Sequence, residues 1–209
     1  MQQLPLAISQ AVEPDLDNFV AGPNGEALAR VRSLAAGTLG EAIVYLWGER
    51  GTGRSHLLRA AARANPRLVV ADDVESLDPE AQQALFVAIN AAREGGPGVL
   101  VAGPRPPAQL ALRPDLRSRL AWGLVYQLVP LADGDKALHL KRLAAERGLL
   151  LPDDVINYLL ARLPRDIPSL QRVMEVLDRH SLARQRALTL PFVREVLAAV
   201  GLGGQPPER

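Results

Sequence analysis

The sequence predicts an α/β domain built on a parallel β-sheet, followed by a small domain made of helices alone. Two patterns carry this prediction. Up to residue 130, short apolar runs of strand length alternate with segments of helical periodicity, which indicates a parallel sheet with right-handed crossovers. Beyond residue 130 the strand pattern stops, and the remaining segments have helical periodicity.

The base domain is predicted over residues 13–130, after a polar arm over residues 1–12. Apolar runs such as EAIVYLW and GVLVAG have the length of buried strands, whereas SHLLRAAARAN repeats its apolar residues at helical spacing. In chain order, the elements are predicted at residues 26–36 (helix), 41–47 (strand), 55–65 (helix), 67–73 (strand), 79–94 (helix), 98–103 (strand) and 123–129 (strand).

The helical domain is predicted over residues 131–200 and is followed by a disordered tail over residues 201–209. Pro152, followed by Asp153 and Asp154, is typical of a helix start, because carboxylates suit the positive end of the helix dipole. The four helices are predicted at residues 133–148, 152–163, 168–185 and 189–201.

The composition limits the chemistry that is available. The chain of 209 residues has no cysteine, which excludes disulfides, thiolate metal sites and cysteine nucleophiles, and its three histidines are scattered. A net charge of +1 is too small for a dedicated duplex-DNA binder. The sequence has no apolar run of roughly 18 residues and no signal-like N-terminus, so we expect a cytoplasmic protein.

The stretch WGERGTGRSHLL has the spacing of a phosphate-binding loop, G-x-x-x-x-G-K-[ST], except that Arg54 stands where lysine is expected. Gly48, Gly51 and Gly53 let the backbone direct its N–H groups at a polyphosphate, and Ser55 can bind Mg²⁺. One alternative is a glycine turn that serves packing alone. Another is that Arg54 follows a general preference for arginine over lysine in this chain.

Two carboxylates strengthen the prediction of a nucleotide site. Asp72 and Asp73 end a neighbouring buried strand, where a Walker B carboxylate would hold the metal ion. We predict that Asp72 binds Mg²⁺ together with Ser55. Two aspartates at a strand end are also typical of a solvated helix cap, so the prediction depends on the loop and the carboxylates occurring together.

These motifs resemble the AAA+ ATPases, and within them the family of the bacterial replication initiator DnaA and its regulator Hda. The resemblance covers nearly the whole chain. LDNFVAGPNGEALA is similar to the segment that packs on adenine in the family, AGPRPP to the sensor 1 loop, and LRSRLAWGLVYQL to the box that holds the arginine finger. LTLPFVREVL is similar to the end of an Hda-type lid. The nucleotide-binding residues that the resemblance implies are Val20, Gly48, Gly51, Thr52, Gly53, Arg54, Ser55, His56, Asp72 and Asp73.

The resemblance also implies a sheet that lacks one edge strand of the family. Only ARANPR joins the phosphate-loop helix to the Walker B strand, whereas the family has a further strand and helix there. That strand lies at the edge of the family's 5-1-4-3-2 sheet, so its loss leaves the core intact. We therefore expect an AAA+ sheet of four central strands with a helical lid.

Three departures from the family pattern bear on catalysis. Arg54 is bulkier than lysine and approaches phosphate differently, Pro104 replaces a polar sensor 1 residue, and Pro168 falls at the sensor 2 arginine, for which Arg165 or Arg172 are candidate substitutes. We expect the chain to hold a nucleotide, ADP rather than ATP as the resemblance implies, with or without Mg²⁺, and to have weak or no ATPase activity.

Arg119 matches the family's arginine finger, which acts in trans on the nucleotide of a neighbouring subunit. The resemblance implies that the neighbour is ATP-bound DnaA. The alternative is a surface arginine paired with Asp115. Trp122, two residues before the last strand, is predicted to lie in the core.

The N-terminal stretch QQLPLAI is similar to the clamp-binding peptide of this family. Pro5 favours extended geometry at Leu4, so that Leu4 and Leu6 can enter a groove while the Gln3 amide supplies hydrogen bonds. The implied partner is the DNA polymerase III β sliding clamp, through which DNA is reached indirectly and the chain is associated with the nucleoid. The alternative is a frayed terminus.

The resulting hypothesis is a regulator that promotes hydrolysis of DnaA-bound ATP and prevents re-initiation, rather than an enzyme in its own right. A self-sufficient AAA+ ATPase, such as a helicase loader or clamp-loader relative, and a nucleotide-free clamp or initiator adaptor remain as alternatives. Whether the chain forms a homo-oligomer stays open.

Overall fold

The computed structural model describes residues 13–164 and 166–202. By its contacts the chain divides into two compact units, one of which is Glu13–Leu131, while the other includes the helices that follow it. The predicted clamp-binding residues Gln3, Leu4 and Leu6 lie outside the described residues, as does most of the predicted tail. Within the described part of the chain, no helix is long and apolar enough to cross a membrane.

The first unit alternates strands with helices, as predicted. Short 3-10 turns occur at Gly22–Asn24, Val74–Ser76 and Pro107–Gln109. The longer elements are α1 (Gly25–Ala35), β1 (Ile43–Trp47), α2 (Arg54–Ala64), β2 (Val69–Ala71), α3 (Pro79–Arg93), β3 (Val99–Gly103), α4 (Pro114–Leu120) and β4 (Leu124–Gln127).

The sheet is parallel and has the strand order β2-β3-β1-β4, which confirms the expected four central strands. Tyr45 in β1 pairs with Val101 of β3 on one side and Val125 of β4 on the other. The Walker B strand β2 is therefore not a direct neighbour of β1, because β3 lies between them. As an edge strand, β2 is also only partly buried, with Val70 39% exposed, so the prediction of a buried strand was wrong here.

The two faces of the sheet are covered by different helices. Because side chains alternate along a strand, Val44 and Leu46 pack with α1 and α2, whereas Ile43 and Tyr45 pack with α3 and α4. Helix α3 begins at a proline after Asp78, whose side chain accepts the Ala81 N–H at 2.7 Å. The central strands thus hold the loops at the carboxyl edge of the sheet on a rigid base.

The second unit consists of α5 (Asp133–Glu146), α6 (Asp153–Arg162), α7 (Ile167–Arg184) and α8 (Leu190–Ala199). Its core includes Leu140, Ile156, Leu159 and Phe192, all essentially inaccessible to solvent. Asp153 and Asp154 occupy the first turn of α6, as predicted. This confirms the predicted helical lid domain.

Candidate functional site

The loop between β1 and α2 has a tightly turned backbone conformation that depends on its glycines. Gly51 and Gly53 have φ angles of +84° and +96°, which side chains other than glycine rarely adopt. Gly48 is buried, and a Cβ atom there would overlap the Leu128 carbonyl oxygen. Thr52 is buried and its hydroxyl donates to the Glu49 carbonyl at 2.9 Å, which closes the loop on itself. The predicted glycines are therefore required by the conformation of the loop.

Helix α2 begins at Arg54, directly after Gly53, and Gly53 as its N-cap supplies no side-chain hydrogen bond. The N–H groups of the first turn, which includes Arg54, Ser55 and His56, lack acceptors within the helix. Together with the helix dipole, such N–H groups favour an anion at this end. The start of α2 is thus a site where a phosphate group would be stabilised.

The Arg54 side chain is buried, with 8% of its surface exposed. Its Nη2 lies 3.3 Å from Oδ1 of Asp73, whereas its Nη1 is buried without a hydrogen-bond partner in the described part of the chain. Asp73 has a left-handed backbone conformation, with φ of 43°. Oδ1 of Asp72 accepts the Asp73 N–H at 3.0 Å. The structure therefore brings the loop and the predicted Walker B carboxylates together, and Asp73 is the one in contact with Arg54.

The N-terminal segment of the base domain packs against the same loop. Nε2 of His56 lies 2.9 Å from the Asp15 carbonyl oxygen, and its ring centroid is 5.5 Å from that of Phe19. A Cβ atom on Gly53 would lie 2.6 Å from Cε2 of Phe19. Val20, the predicted adenine contact, is half-buried next to Phe19 in the chain. Phe19 is a candidate site residue that the sequence analysis missed, although it lies within the quoted adenine segment.

Asn24 is a second residue that was missed. It is buried, its Nδ2 donates to the Val129 carbonyl at 2.9 Å, and its Oδ1 accepts the Val129 N–H at 2.7 Å. These two hydrogen bonds attach the N-terminal segment of the base domain to the segment that follows β4. Asn24 also lies within the quoted adenine segment, but no sequence signal pointed to its partner, which is 105 residues away.

The sensor 1 loop is attached to β1 by Tyr45. Its hydroxyl is buried, donates to the Arg105 carbonyl at 2.7 Å and fills the space beside Gly103. Burial raises the pKa of the Tyr45 hydroxyl far above its usual range, and nearby Glu75 adds to this effect. Tyr45 is therefore a constant hydrogen-bond donor that positions the loop containing Pro104.

Arg119 lies on α4, half-buried, against α3. Its Nε donates to Oδ1 of Asn90 at 2.7 Å, and its guanidinium carbon is 3.9 Å from the Phe86 ring centroid and 4.8 Å from that of Trp122. Asp115 is instead paired with Arg113, at 2.6 Å, so the alternative of an Arg119–Asp115 pair was wrong. The prediction that Trp122 lies in the core was also wrong, since it is 43% exposed and stacks with arginines.

The remaining predicted residues are less informative. Pro168 lies in the first turn of α7, and Arg172 donates to the Ser169 hydroxyl at 3.0 Å. Arg165 lies outside the described residues. Ser55 is half-buried at the second position of α2.

Comparisons with known proteins agree with this architecture. A family model described as the lid domain of Hda matches residues 133–197. A Haemophilus influenzae protein described as uncharacterized is 34% identical over 228 aligned residues, which cover 94% of this chain and 98% of that protein.

Solved structures resemble the fold over most of the chain. Domain III of the Thermotoga maritima replication initiation protein DnaA has a TM-score of 0.69 at 18% identity, covering 90% of this chain and 97% of that one. DnaA from Aquifex aeolicus bound to AMPPCP has a TM-score of 0.66 at 20% identity, covering 83% and 69%. The Thermotoga maritima RuvB branch migration motor has a TM-score of 0.63 at 16% identity, covering 89% and 72%. The chain thus combines an AAA+ fold like that of DnaA domain III with an Hda-type lid at residues 133–197.

Proposed function

We propose that the chain regulates replication initiation by holding a nucleotide and presenting Arg119 to ATP-bound DnaA, whose ATP is then hydrolysed. The observation that carries this proposal is the location of Arg119. Arg119 lies in the last turn of α4, five residues before β4 begins, and contacts Asn90 near the end of α3, so it lies by the amino ends of the strands. The phosphate loop follows the carboxyl end of β1.

This separation favours action in trans. Because β1 and β4 are parallel, their amino ends lie on one side of the sheet and their carboxyl ends on the opposite side. Arg119 therefore lies at the amino ends of the strands, opposite the phosphate loop of its own chain. Its hydrogen bond to Asn90 runs through Nε, which leaves the two Nη groups that form a guanidinium fork for an anion.

Nucleotide binding is supported by three features of the loop: the glycine conformations, the uncapped start of α2, and the unpartnered Nη1 of buried Arg54. A buried guanidinium nitrogen without an acceptor is costly, and a phosphate oxygen would satisfy it. The residues present thus fit the phosphate groups of ADP or ATP. The AMPPCP-bound DnaA of Aquifex aeolicus has the same fold, which is consistent with this assignment.

The same pocket is poorly suited to hydrolysis. Arg54 is engaged by Asp73, and Pro104 has no side-chain donor or acceptor to orient a water or a γ-phosphate. The proline-containing sensor loop is further attached to β1 through Tyr45. We therefore assign the bound nucleotide, ADP by preference, a structural role and expect little intrinsic ATPase activity.

The last part of the proposed function is recruitment of the chain to the sliding clamp. The N-terminal residues Gln3, Leu4 and Leu6 would bind the DNA polymerase III β sliding clamp, so that the chain meets DnaA where the clamp encircles DNA. The support for this step is the sequence pattern and the Hda-type lid of the same chain.

The test is single-turnover hydrolysis of ATP preloaded on DnaA, with DNA-loaded clamp present. Arg119→Ala should abolish stimulation, since fingers acting in trans contribute on the order of 10³ to 10⁵ in rate. Arg119→Lys should fail as well, because an ammonium does not reproduce the planar fork. Arg117→Ala, on the same helix, is the matched control and should stimulate like the native chain. Full stimulation by Arg119→Ala would leave an adaptor role in place of the finger.

A further inference from the structure

We infer that this chain holds the phosphates of its nucleotide without a divalent cation, because the Arg54 guanidinium lies between the phosphate loop and the Walker B carboxylate, where a metal ion would act. The inference rests on the proposed nucleotide binding and specifies its cofactor requirement. It also disagrees with the prediction from sequence that Ser55 and Asp72 bind Mg²⁺.

The first step is the position of the Arg54 side chain. Arg54 begins α2, is almost completely buried, and places Nη2 3.3 Å from Oδ1 of Asp73. The charge is permanent, since arginine does not lose its proton in proteins. Asp73, one of the two carboxylates beside the loop, is thus already paired with a cation of the chain itself.

The second step is the conformation of the two aspartates. Asp73 is one of two residues other than glycine with positive φ in the described chain, and this conformation brings its carboxylate to Arg54. Asp72 directs Oδ1 back to the N–H of Asp73, at 3.0 Å. Mg²⁺ requires oxygen ligands at about 2.0–2.1 Å in near-octahedral arrangement. Oδ1 of each carboxylate would have to leave its present partner to become such a ligand.

The third step is electrostatic. A divalent ion beside Asp73 would lie within a few ångströms of the Arg54 guanidinium, and like charges repel at that separation. Displacing the guanidinium would also leave a buried arginine without its carboxylate, which is costly. The donor set therefore does not fit a Mg²⁺ site.

The fourth step is the unpartnered Nη1 of Arg54. A guanidinium can donate to two acceptors at once through its planar fork. With Nη2 on Asp73, the buried Nη1 is the donor that remains for a phosphate oxygen. Together with the uncapped N–H groups of α2, Arg54 supplies positive charge that a metal ion would otherwise bring.

The experiment is calorimetric titration of nucleotide-free protein with ADP, once in excess MgCl₂ and once in excess EDTA. The dissociation constants should agree within about threefold. Arg54→Lys removes the fork, shortens the reach to Asp73 and frees this carboxylate. We expect its affinity for ADP in EDTA to fall about tenfold or more and to be restored in part by Mg²⁺. Arg59→Lys, an exposed residue of α2, is the matched control and should behave like the native chain.

Two results would overturn the inference in distinguishable ways. ADP binding by the native chain in MgCl₂ that is lost in EDTA would reject the metal-free site but leave the proposed nucleotide binding intact. Absence of ADP binding under both conditions would reject nucleotide binding itself. The comparison uses the native chain, so it remains decisive even if Arg54→Lys does not fold.

Discussion

The buried polar side chains near the phosphate loop have different roles. Arg54 has one engaged and one unpartnered terminal nitrogen, an arrangement that suits ligand binding. Asn24 is fully engaged, because its amide both donates to and accepts from the backbone of Val129. A satisfied buried amide fixes the path of the chain, whereas an unsatisfied guanidinium favours whatever anion can reach it.

Asn24→Ala should lower the free energy of unfolding by about 2 kcal/mol, since it leaves the Val129 N–H and carbonyl without their partners. It should also weaken ADP binding, because the segment that Asn24 fixes contains Phe19, which lies against Gly53. Urea unfolding followed by circular dichroism measures the first effect and calorimetry the second.

The matched control for Asn24→Ala is Asn157→Ala, on an exposed position of α6, which should change the free energy of unfolding by less than about 0.5 kcal/mol. Equal unfolding midpoints for Asn24→Ala and the native chain would show that the Val129 bonds do not fix the N-terminal segment.

At the level of elements, the histidine on α5 couples the stability of the lid to pH. His139 is half-buried, with Nε2 3.3 Å from Nε2 of Gln171 on α7. Burial lowers the pKa of His139, with Arg142 and Arg147 adding to the effect and Glu146 opposing it. The folded lid therefore binds fewer protons at this residue than the unfolded chain does. Stability should fall as the pH decreases through about 6.5, the ordinary pKa of histidine, and below it.

His139→Gln removes this titration, so thermal unfolding of this variant should depend less on pH between about 7 and 5 than that of the native chain. Circular dichroism melts at several pH values provide the measurement. His180→Gln, on α7, serves as the control and should follow the native pH dependence. The same pH dependence in the native chain and in His139→Gln would show that another group is responsible.

Most elements of this fold could be predicted from the sequence because they have strong local signals. The central strands are apolar runs between turn residues, and the lid helices have clear starts such as Asp153 and Asp154. Helix α4 was not predicted, since its seven residues begin at Pro114 and are too few for a periodic pattern. The exposure of β2 follows from its place at the sheet edge, which the missing strand creates.

The candidate site was predictable only in part, because only some of its residues belong to local sequence motifs. The phosphate-loop glycines and Arg54 form a local motif, and the structure places them in one loop with Asp73 nearby. Contacts between distant segments left no signal, as for Asn24 with Val129 or Tyr45 with Arg105. The exposure of Trp122 could not be predicted either, because it depends on stacking with Arg93 and Arg119 from two helices.

For the whole molecule, the proposed functions are distributed over separate parts of the chain. The phosphate loop lies at the carboxyl ends of the strands and Arg119 at their amino ends. The proposed clamp-binding residues precede the first described core residue, Leu16. This arrangement suits a protein that acts on a partner, because the arginine and the nucleotide do not compete for one surface. A tether to the clamp would raise the effective concentration of Arg119 near DnaA without new contacts between them.

Recruitment can be tested separately from catalysis. Gln3→Ala combined with Leu6→Ala should remove binding to the β clamp and leave thermal unfolding unchanged, as expected of residues that act only on a partner. A synthetic peptide of the first ten residues should bind the clamp. On DNA-loaded clamp the double variant should lose stimulation of DnaA by about 10² or more, and raising its concentration should restore it, as expected for loss of a tether. Gln2→Ala combined with Ile8→Ala is the matched control and should bind like the native chain. If the Gln3 and Leu6 double variant binds the clamp as tightly as the native chain, the N-terminal arm has no part in recruitment.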